Sequence, residues 1–133
     1  MGPTVAPAER ITRYLRNSGH LRPGLQRPHF TAYMPQEADG DISVYRTMDL
    51  SDADIEALGA QHVGKPASPL KGHCCLSAYA IFSEGLNIVS APNPHPRHAN
   101  VTGWVNDPKN RIIARKLADQ ARLTVYLPTT PTP

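Results

Sequence analysis

The segment from Pro92 to Trp104 concentrates side chains that can take part in chemistry. It reads PNPHPRHANVTGW and holds two histidines, an arginine, two asparagines and the only tryptophan of the chain. Three prolines restrict the backbone of its first half. A stiff loop presents polar groups that lose little conformational entropy when a ligand binds. We therefore expect this loop to be the functional site.

The residue types in the loop fit two functions. In the first, the loop is a binding face made by Arg97, His98, Asn100, His95 and Trp104. In the second, His98 is a general acid or base, and Arg97 and Arg46 stabilise an anion. That second set suits a metal-independent enzyme that cleaves phosphodiesters or transfers phosphate, with His73 as a further histidine. A purely structural alternative has His98 bonded to the backbone and Trp104 filling the core.

Arg46 stands out because it shares a strand face with apolar residues. In the stretch Ile42 to Met48, the side chains of Ile42, Val44 and Met48 alternate onto the same side as Arg46. An unpaired buried charge is costly. Arg46 therefore needs either an acidic partner or an anionic ligand.

The remaining histidines and the cysteines suggest weaker alternatives. Zinc-type ligands occur at His73, Cys74, Cys75, His95 and His98, but they lack C-x-x-C or H-x-x-x-H spacing, so we expect no metal site. A cysteine nucleophile with His73 or His98 as its base is a further alternative. The chain has no phosphate-binding glycine loop, dinucleotide fingerprint or paired-carboxylate pattern, and we expect no cofactor.

The motif from Arg97 to Trp104, RHANVTGW, resembles one found in a set of small bacterial proteins of unknown function. The likeness extends over Ser43 to Leu123 and includes Asp107 and the basic helix that follows it. It implies a compact domain of its own, in which Arg97 to Trp104 form one unit. It implies no particular activity, cofactor or ligand.

Length and composition indicate one domain. The chain has 133 residues, of which 40% are hydrophobic and 19% charged, as is typical of a single globular unit. We expect a flexible start over residues 1–7, a domain over 8–127 and a flexible Pro/Thr tail over 128–133. No run of apolar residues is long enough to span a membrane, and the two adjacent cysteines suit a reducing, cytoplasmic setting.

Charge is distributed unevenly along the chain. Five arginines and one acid lie between Glu9 and Arg27, seven acids and one arginine between Glu37 and Glu56, and five bases and one acid between Lys109 and Arg122. Segregated charge of this kind favours a protein partner, or else solvated faces without a partner. Nucleic acid is the alternative partner, and its phosphates would be contacted by Arg10, Arg13, Arg16, Arg111 and Arg115.

The elements that must position these residues follow from hydrophobic spacing and turn residues. We predict three helices: one over Pro7 to Asn17, one that starts after Ser51 with a capping box to Asp54, and one that starts at Asp107 and Pro108. A short helical turn is expected from Ser77 to Ser83, and a turn at 39–41. The predicted strands are His29 to Met34, Ile42 to Met48, Leu70 to Leu76, Leu86 to Ala91 and Leu123 to Leu127.

This order predicts the α+β class: a single domain with a small mixed or antiparallel sheet of about five short strands and two to three helices on one side. The leading functional hypothesis is a small bacterial accessory protein that binds a macromolecular partner through the Pro/His/Arg loop and the charged faces. The phosphate-directed enzyme is the alternative.

Overall fold

The computed structural model describes residues 2–37, 40–93 and 95–126. Its main feature is an antiparallel sheet of six strands, accompanied by a separate two-stranded sheet. The eight strands are β1 (Arg10–Leu15), β2 (Leu21–Arg22), β3 (Arg27–Pro28), β4 (Ile42–Arg46), β5 (Gly72–Ser77), β6 (Asn87–Ser90), β7 (His98–Thr102) and β8 (Arg122–Val125). The large sheet has the order β6-β7-β4-β1-β5-β8, and β2 pairs with β3. The predicted α+β class is confirmed. Of the two predicted sheet types, mixed and antiparallel, the antiparallel one is observed.

In the described part of the chain, three α-helices join the strands. They are α1 (Asp52–His62), α2 (Ala78–Ser83) and α3 (Asp107–Gln120). The predicted capping box of α1 is present, because the Ser51 hydroxyl accepts from the Asp54 amide and the Asp54 carboxylate accepts from the Ser51 amide. Asn106 caps α3, one residue before the predicted Asp107, and Pro108 lies in its first turn.

The main core lies on one side of the large sheet, beneath α2 and α3. Strand residues such as Ile11, Val44 and Leu76 pack there against Ile81 of α2 and Leu117 of α3. A short 3-10 turn, Phe30–Tyr33, packs beside α3 and contributes the buried Tyr33. Because β1, β4 and β5 lie between other strands of the sheet, their inward apolar side chains are buried in this core.

The other side of the sheet carries a second and smaller core beneath α1. Tyr14, Tyr45 and Cys75 of the sheet are buried there with Ile55 of the helix. The Tyr14 hydroxyl donates to the Ile55 carbonyl at 2.6 Å. This placement corrects the prediction that all helices lie on one side.

Two arginines of β1 and its continuation fix the ends of α1. Arg10 donates to the carbonyls of Thr47 and Leu50, which precede the helix. Arg16 donates to the carbonyl of Val63, the residue that caps the C-terminal end of α1. Positive charge at a helix C-terminus also suits the helix dipole.

The helix predicted over Pro7 to Asn17 is wrong, because these residues contain strand β1. A central strand with both faces covered buries Ile11, Tyr14 and Leu15 alike, and this spacing imitates the apolar stripe of a helix. The strand predicted over His29 to Met34 is also wrong. It contains the 3-10 turn Phe30–Tyr33, which the His29 side chain caps by accepting from the Thr31 amide.

The structure describes most of the predicted start segment but not the predicted tail. In the start segment 1–7, Thr4 forms a bridge with Val89 and Val5 is buried in the main core. The tail over 128–133, residue 127 at the end of the predicted last strand and part of the predicted turn at 39–41 lie outside the described residues.

Candidate functional site

His98 begins β7, and both of its ring nitrogens make hydrogen bonds. Nδ1 lies 3.0 Å from the carbonyl oxygen of Ala91, which can only accept, so Nδ1 carries the proton. Nε2 lies 2.6 Å from Oγ of Ser43 on the neighbouring strand β4. In the neutral imidazole, Nε2 therefore accepts the hydroxyl proton of Ser43. The imidazole is held in one tautomer and one orientation.

Aromatic contacts link His98 to two further histidines. The ring of Tyr45 lies 5.4 Å from that of His98 and 6.1 Å from that of His95, between ring centroids. The ring of His95 lies 4.7 Å from that of His62, the last residue of α1. We call His62, His95, Tyr45 and His98 the histidine row. Burial, followed by the charges of His62 and Arg97, lowers the pKa of His95.

Arg97 fixes the loop to the turn before α1. Its guanidinium donates to both carboxylate oxygens of Asp49, at 2.7 and 3.0 Å, and to the carbonyl of Arg46 at 3.2 Å. The hydrogen bonds from Arg97 lower the pKa of Asp49 to about 2. Asp49 is largely exposed, so this pair positions the loop more than it stabilises the fold.

Arg46 has the acidic partner that its strand position requires. Its guanidinium, 3% exposed, donates to both carboxylate oxygens of Glu9 at 2.8 Å. It also donates to the carbonyls of Gly2 and Thr4. Hydrogen bonding to Arg46 lowers the pKa of Glu9. Arg46 therefore joins the start of the chain to the sheet.

A cleft of about 610 Å³ lies between the loop and the first residues of the chain. Arg46, Arg97 and His95 line it, whereas His98 is not among its lining residues. Both arginines in this cleft hold carboxylates, so we assign neither of them to the stabilisation of an anion. Arg46 and Arg97 thus line the same cleft. The two hydrogen-bond partners of His98, Ala91 and Ser43, are not among the residues that line it.

The strands β4, β7 and β6 leave part of the second sheet side open. Asn100 lies opposite Ser43 on one neighbour and Val89 on the other. Ser43 is exposed, Val89 is 47% exposed, and the side-chain amide of Asn100 has no hydrogen-bond partner among the described residues. We call the surface formed by Ser43, Val89, His98, Asn100 and Thr102 the open face.

Trp104 lies on the opposite, inward side. It is 3% exposed, and its indole nitrogen donates to the carbonyl of Val101 at 3.2 Å. Trp104 packs in the main core and can anchor the loop there. This position suits the purely structural alternative, in which Trp104 fills the core.

His73 belongs to a separate, buried group. Its Nδ1 lies 2.5 Å from the hydroxyl of Tyr126, and its Nε2 lies 3.5 Å from the carboxylate of Asp52, which Arg122 holds in a two-point bond. Burial lowers the pKa of His73 and raises that of Tyr126. His73 is inaccessible to solvent and takes no part in the histidine row.

Both cysteines are buried as free thiols. Cys74 lies beside the hydroxyl of Tyr33, and burial raises the pKa of its thiol to about 12. Cys75 faces the side of α1 and lies 3.1 Å from the hydroxyl of Thr12. A thiol that stays protonated at neutral pH is a poor nucleophile.

The arginines considered for nucleic-acid binding each have a partner within the chain, and they lie on two sides of the sheet. Arg10 and Arg16 bond to backbone carbonyls on the side of α1, and Arg13 donates to the carbonyls of Ala32 and Ser43. On the other side, in α3, Arg111 pairs with Asp107 and Arg115 lies 4.7 Å above the ring of Phe30.

Within residues 2–37, 40–93 and 95–126, no group of three or more His, Cys, Asp or Glu side chains could hold a metal ion. None of the helices in this part of the chain is long and apolar enough to cross a membrane.

Ser43 is the site residue that the sequence reasoning missed. Alternation along β4 puts it on the opposite side from Val44, but only the pairing of β4 with β7 places it next to His98 and Asn100. The register between β4 and β7 depends on β7, a strand that lies where the sequence predicts a loop.

No protein-family model, curated protein or solved structure matches the chain.

Proposed function

We propose that the chain is a small bacterial accessory protein that binds a protein partner, and that the partner docks on the open face. The observation that carries this proposal is the Asn100 side chain, whose amide lies on the outer side of the sheet without a partner among the described residues. An amide carries two donors and an acceptor, and it can bond to the backbone of another chain.

The composition of the open face favours a protein over a nucleic acid. It contains an exposed valine, hydroxyl groups, an amide and a histidine, and no lysine, arginine, aspartate or glutamate. The centres of protein interfaces are depleted of charged residues. Binding of nucleic acid relies instead on lysine and arginine contacts to phosphates.

The Pro/His/Arg loop borders this face and is already held in place. Arg97 fixes it to Asp49, and the rings of His95 and Tyr45 lie against each other. A surface that is ordered before association loses less entropy when it binds. The acidic stretch contributes less to recognition, because Asp49 and Asp52 hold Arg97 and Arg122.

The test replaces Asn100 with arginine. Asn100→Arg places a long charged side chain in the middle of the open face, and Gln120→Arg makes the same kind of change on an exposed position of α3. A partner is captured from a lysate of the source organism and purified, and its affinity for each variant is measured by calorimetry. We expect Asn100→Arg to weaken binding by roughly tenfold or more, and Gln120→Arg to leave it unchanged.

Equal affinities for the two variants would exclude the open face as the docking surface. Capture of nucleic acid, with an affinity that falls steeply as salt rises, would exclude a protein partner. Matching melting temperatures for both variants establish that a loss of binding does not come from unfolding.

A further inference from the structure

Ser43 and His98 have the arrangement in which a histidine activates a serine. The base nitrogen lies 2.6 Å from the hydroxyl oxygen, within the 2.6–3.2 Å over which a base can take the proton of a nucleophile. The second nitrogen donates to the Ala91 carbonyl at 3.0 Å, so the lone pair of the imidazole is directed at Ser43. The carbonyl orients the ring as the third member of a catalytic triad does.

The supporting backbone is rigid, and the hydroxyl is accessible. Ser43 and His98 lie on two paired strands of the six-stranded sheet, β4 and β7, and Ser43 is exposed. Catalytic groups are held most precisely when they sit on strands or helices. A reagent can therefore reach the Ser43 oxygen while the bond to His98 is intact.

Asn100 provides a donor beside the hydroxyl. It is the residue directly opposite Ser43 in the β4–β7 pair. Side chains at such positions have Cβ atoms about 5 Å apart and extend to the same side of the sheet. The amide of Asn100, which has no hydrogen-bond partner among the described residues, can therefore donate to an oxygen bound next to Ser43 Oγ.

We propose that Ser43 is a nucleophile for acyl transfer from activated esters, with His98 as general base and Asn100 as donor to the developing oxyanion. The Ser43 oxygen bonds to the ester carbonyl carbon while its proton moves to Nε2 of His98. The bond from that carbon to the leaving alkoxide then breaks, and the alkoxide takes the proton from His98. Water hydrolyses the acyl-serine by the same route in a slower step, which releases a carboxylic acid and restores the hydroxyl, so the acyl-serine accumulates before it is hydrolysed.

Two other candidate nucleophiles, Cys74 and Tyr126, lack this combination. Cys74 is buried with a raised thiol pKa, and Tyr126 bonds to a histidine that has no access to solvent. Because the Ser43 side chain is exposed on the open face, we expect the rate to rise in proportion to ester concentration without saturation.

The experiment uses the purified chain alone and therefore does not depend on the proposed partner. The protein is incubated with p-nitrophenyl acetate at neutral pH, and the acetylated residue is located by peptide mass spectrometry. We expect acetylation at Ser43 in the wild type. Ser43→Ala should remove that adduct, whereas Ser83→Ala, which changes another exposed serine at the end of α2, should leave it unchanged.

Two further variants separate base chemistry from positioning. His98→Gln can still bond to the Ser43 hydroxyl but cannot take its proton, so we expect acetylation to fall to the level of Ser43→Ala. Asn100→Ala removes the proposed oxyanion donor, and because water screens this exposed site we expect a fall of roughly tenfold. Absence of an adduct at Ser43 in the wild type, or an equal adduct in His98→Gln, would overturn the proposal.

Discussion

Among single residues, Arg46 shows how one buried charge constrains the start of the chain. Its guanidinium makes four hydrogen bonds, two to Glu9 and one each to the carbonyls of Gly2 and Thr4. Glu9 is itself only 14% exposed. Removal of one member of a buried ion pair leaves an uncompensated charge, which costs more than the pair contributes.

Glu9→Gln should therefore destabilise the protein by about 3 kcal/mol at neutral pH, as measured by urea unfolding. Because Arg46 lowers the pKa of Glu9 in the fold, the stabilisation by the carboxylate is present above the unfolded value of 4.5 and is lost as pH falls through the lower folded value. The difference in unfolding free energy between wild type and Glu9→Gln should shrink in acid. A difference that is the same in acid and at neutral pH would contradict this assignment.

Glu56→Gln is the matched control, because Glu56 is exposed on α1 and has no ion pair among the described residues. We expect it to change the free energy of unfolding by less than about 0.5 kcal/mol at either pH.

The need of Arg46 for an acid or an anion followed from the alternation of β4 alone. The sequence could not indicate that Glu9 supplies the acid, because that contact depends on how the segment before β1 crosses the sheet. The partner of His98 was hidden for the same kind of reason. Ser43 lies 55 positions away along the chain and reaches Nε2 only through strand pairing.

At the level of elements, the close approach of α1 to β1 depends on Gly59. A Cβ atom at this position would lie 2.5 Å from Cε1 of Tyr14 and 2.7 Å from Cδ1 of Leu70. Tyr14 is also held to the helix by its bond to the Ile55 carbonyl. The ring cannot move away without loss of that bond.

Gly59→Ala should destabilise the protein by about 2 kcal/mol through overpacking, although alanine is the better helix former by about 1 kcal/mol. The measurement is urea unfolding of Gly59→Ala beside Ala57→Gly, which tests helix propensity at an exposed position of the same helix. If propensity alone governed α1, Gly59→Ala would be more stable than wild type, and that result would rule out the tight contact.

Elements with clear local signals were predicted well, and those defined by neighbours were not. The capping box of α1 and the short helix after Ser77 depend on residues that are adjacent in sequence. Strand β1 imitates a helix because burial on both faces removes its alternation. Strand β7 does alternate, with Ala99 and Val101 inward and His98, Asn100 and Thr102 outward, but the preceding prolines favour a loop over the whole stretch.

At the scale of the whole molecule, one sheet separates two cores of unequal size. The side beneath α2 and α3 holds most of the buried residues, whereas the side beneath α1 holds a small cluster around Tyr14, Tyr45, Ile55 and Cys75. The small core shares Tyr45 with the histidine row, and the histidine row shares His98 with the open face. The candidate site therefore borders the less heavily packed side of the sheet.

The small core beneath α1 has a consequence for motion. Detachment of this helix exposes only that cluster and breaks a few bonds, those from Arg10, Tyr14 and Arg16 and the bond of Arg122 to Asp52, so it needs less free energy than global unfolding. In native-state hydrogen exchange, we expect the amides of α1 to open locally, with weak dependence on urea, before those of β1 and β5. Equal protection of α1 and β1 would mean that the helix and the sheet open as one unit. Because His62 ends this helix, each such opening would also separate His62 from His95, so the surface beside the open face would exist in two forms that exchange faster than the fold itself unfolds.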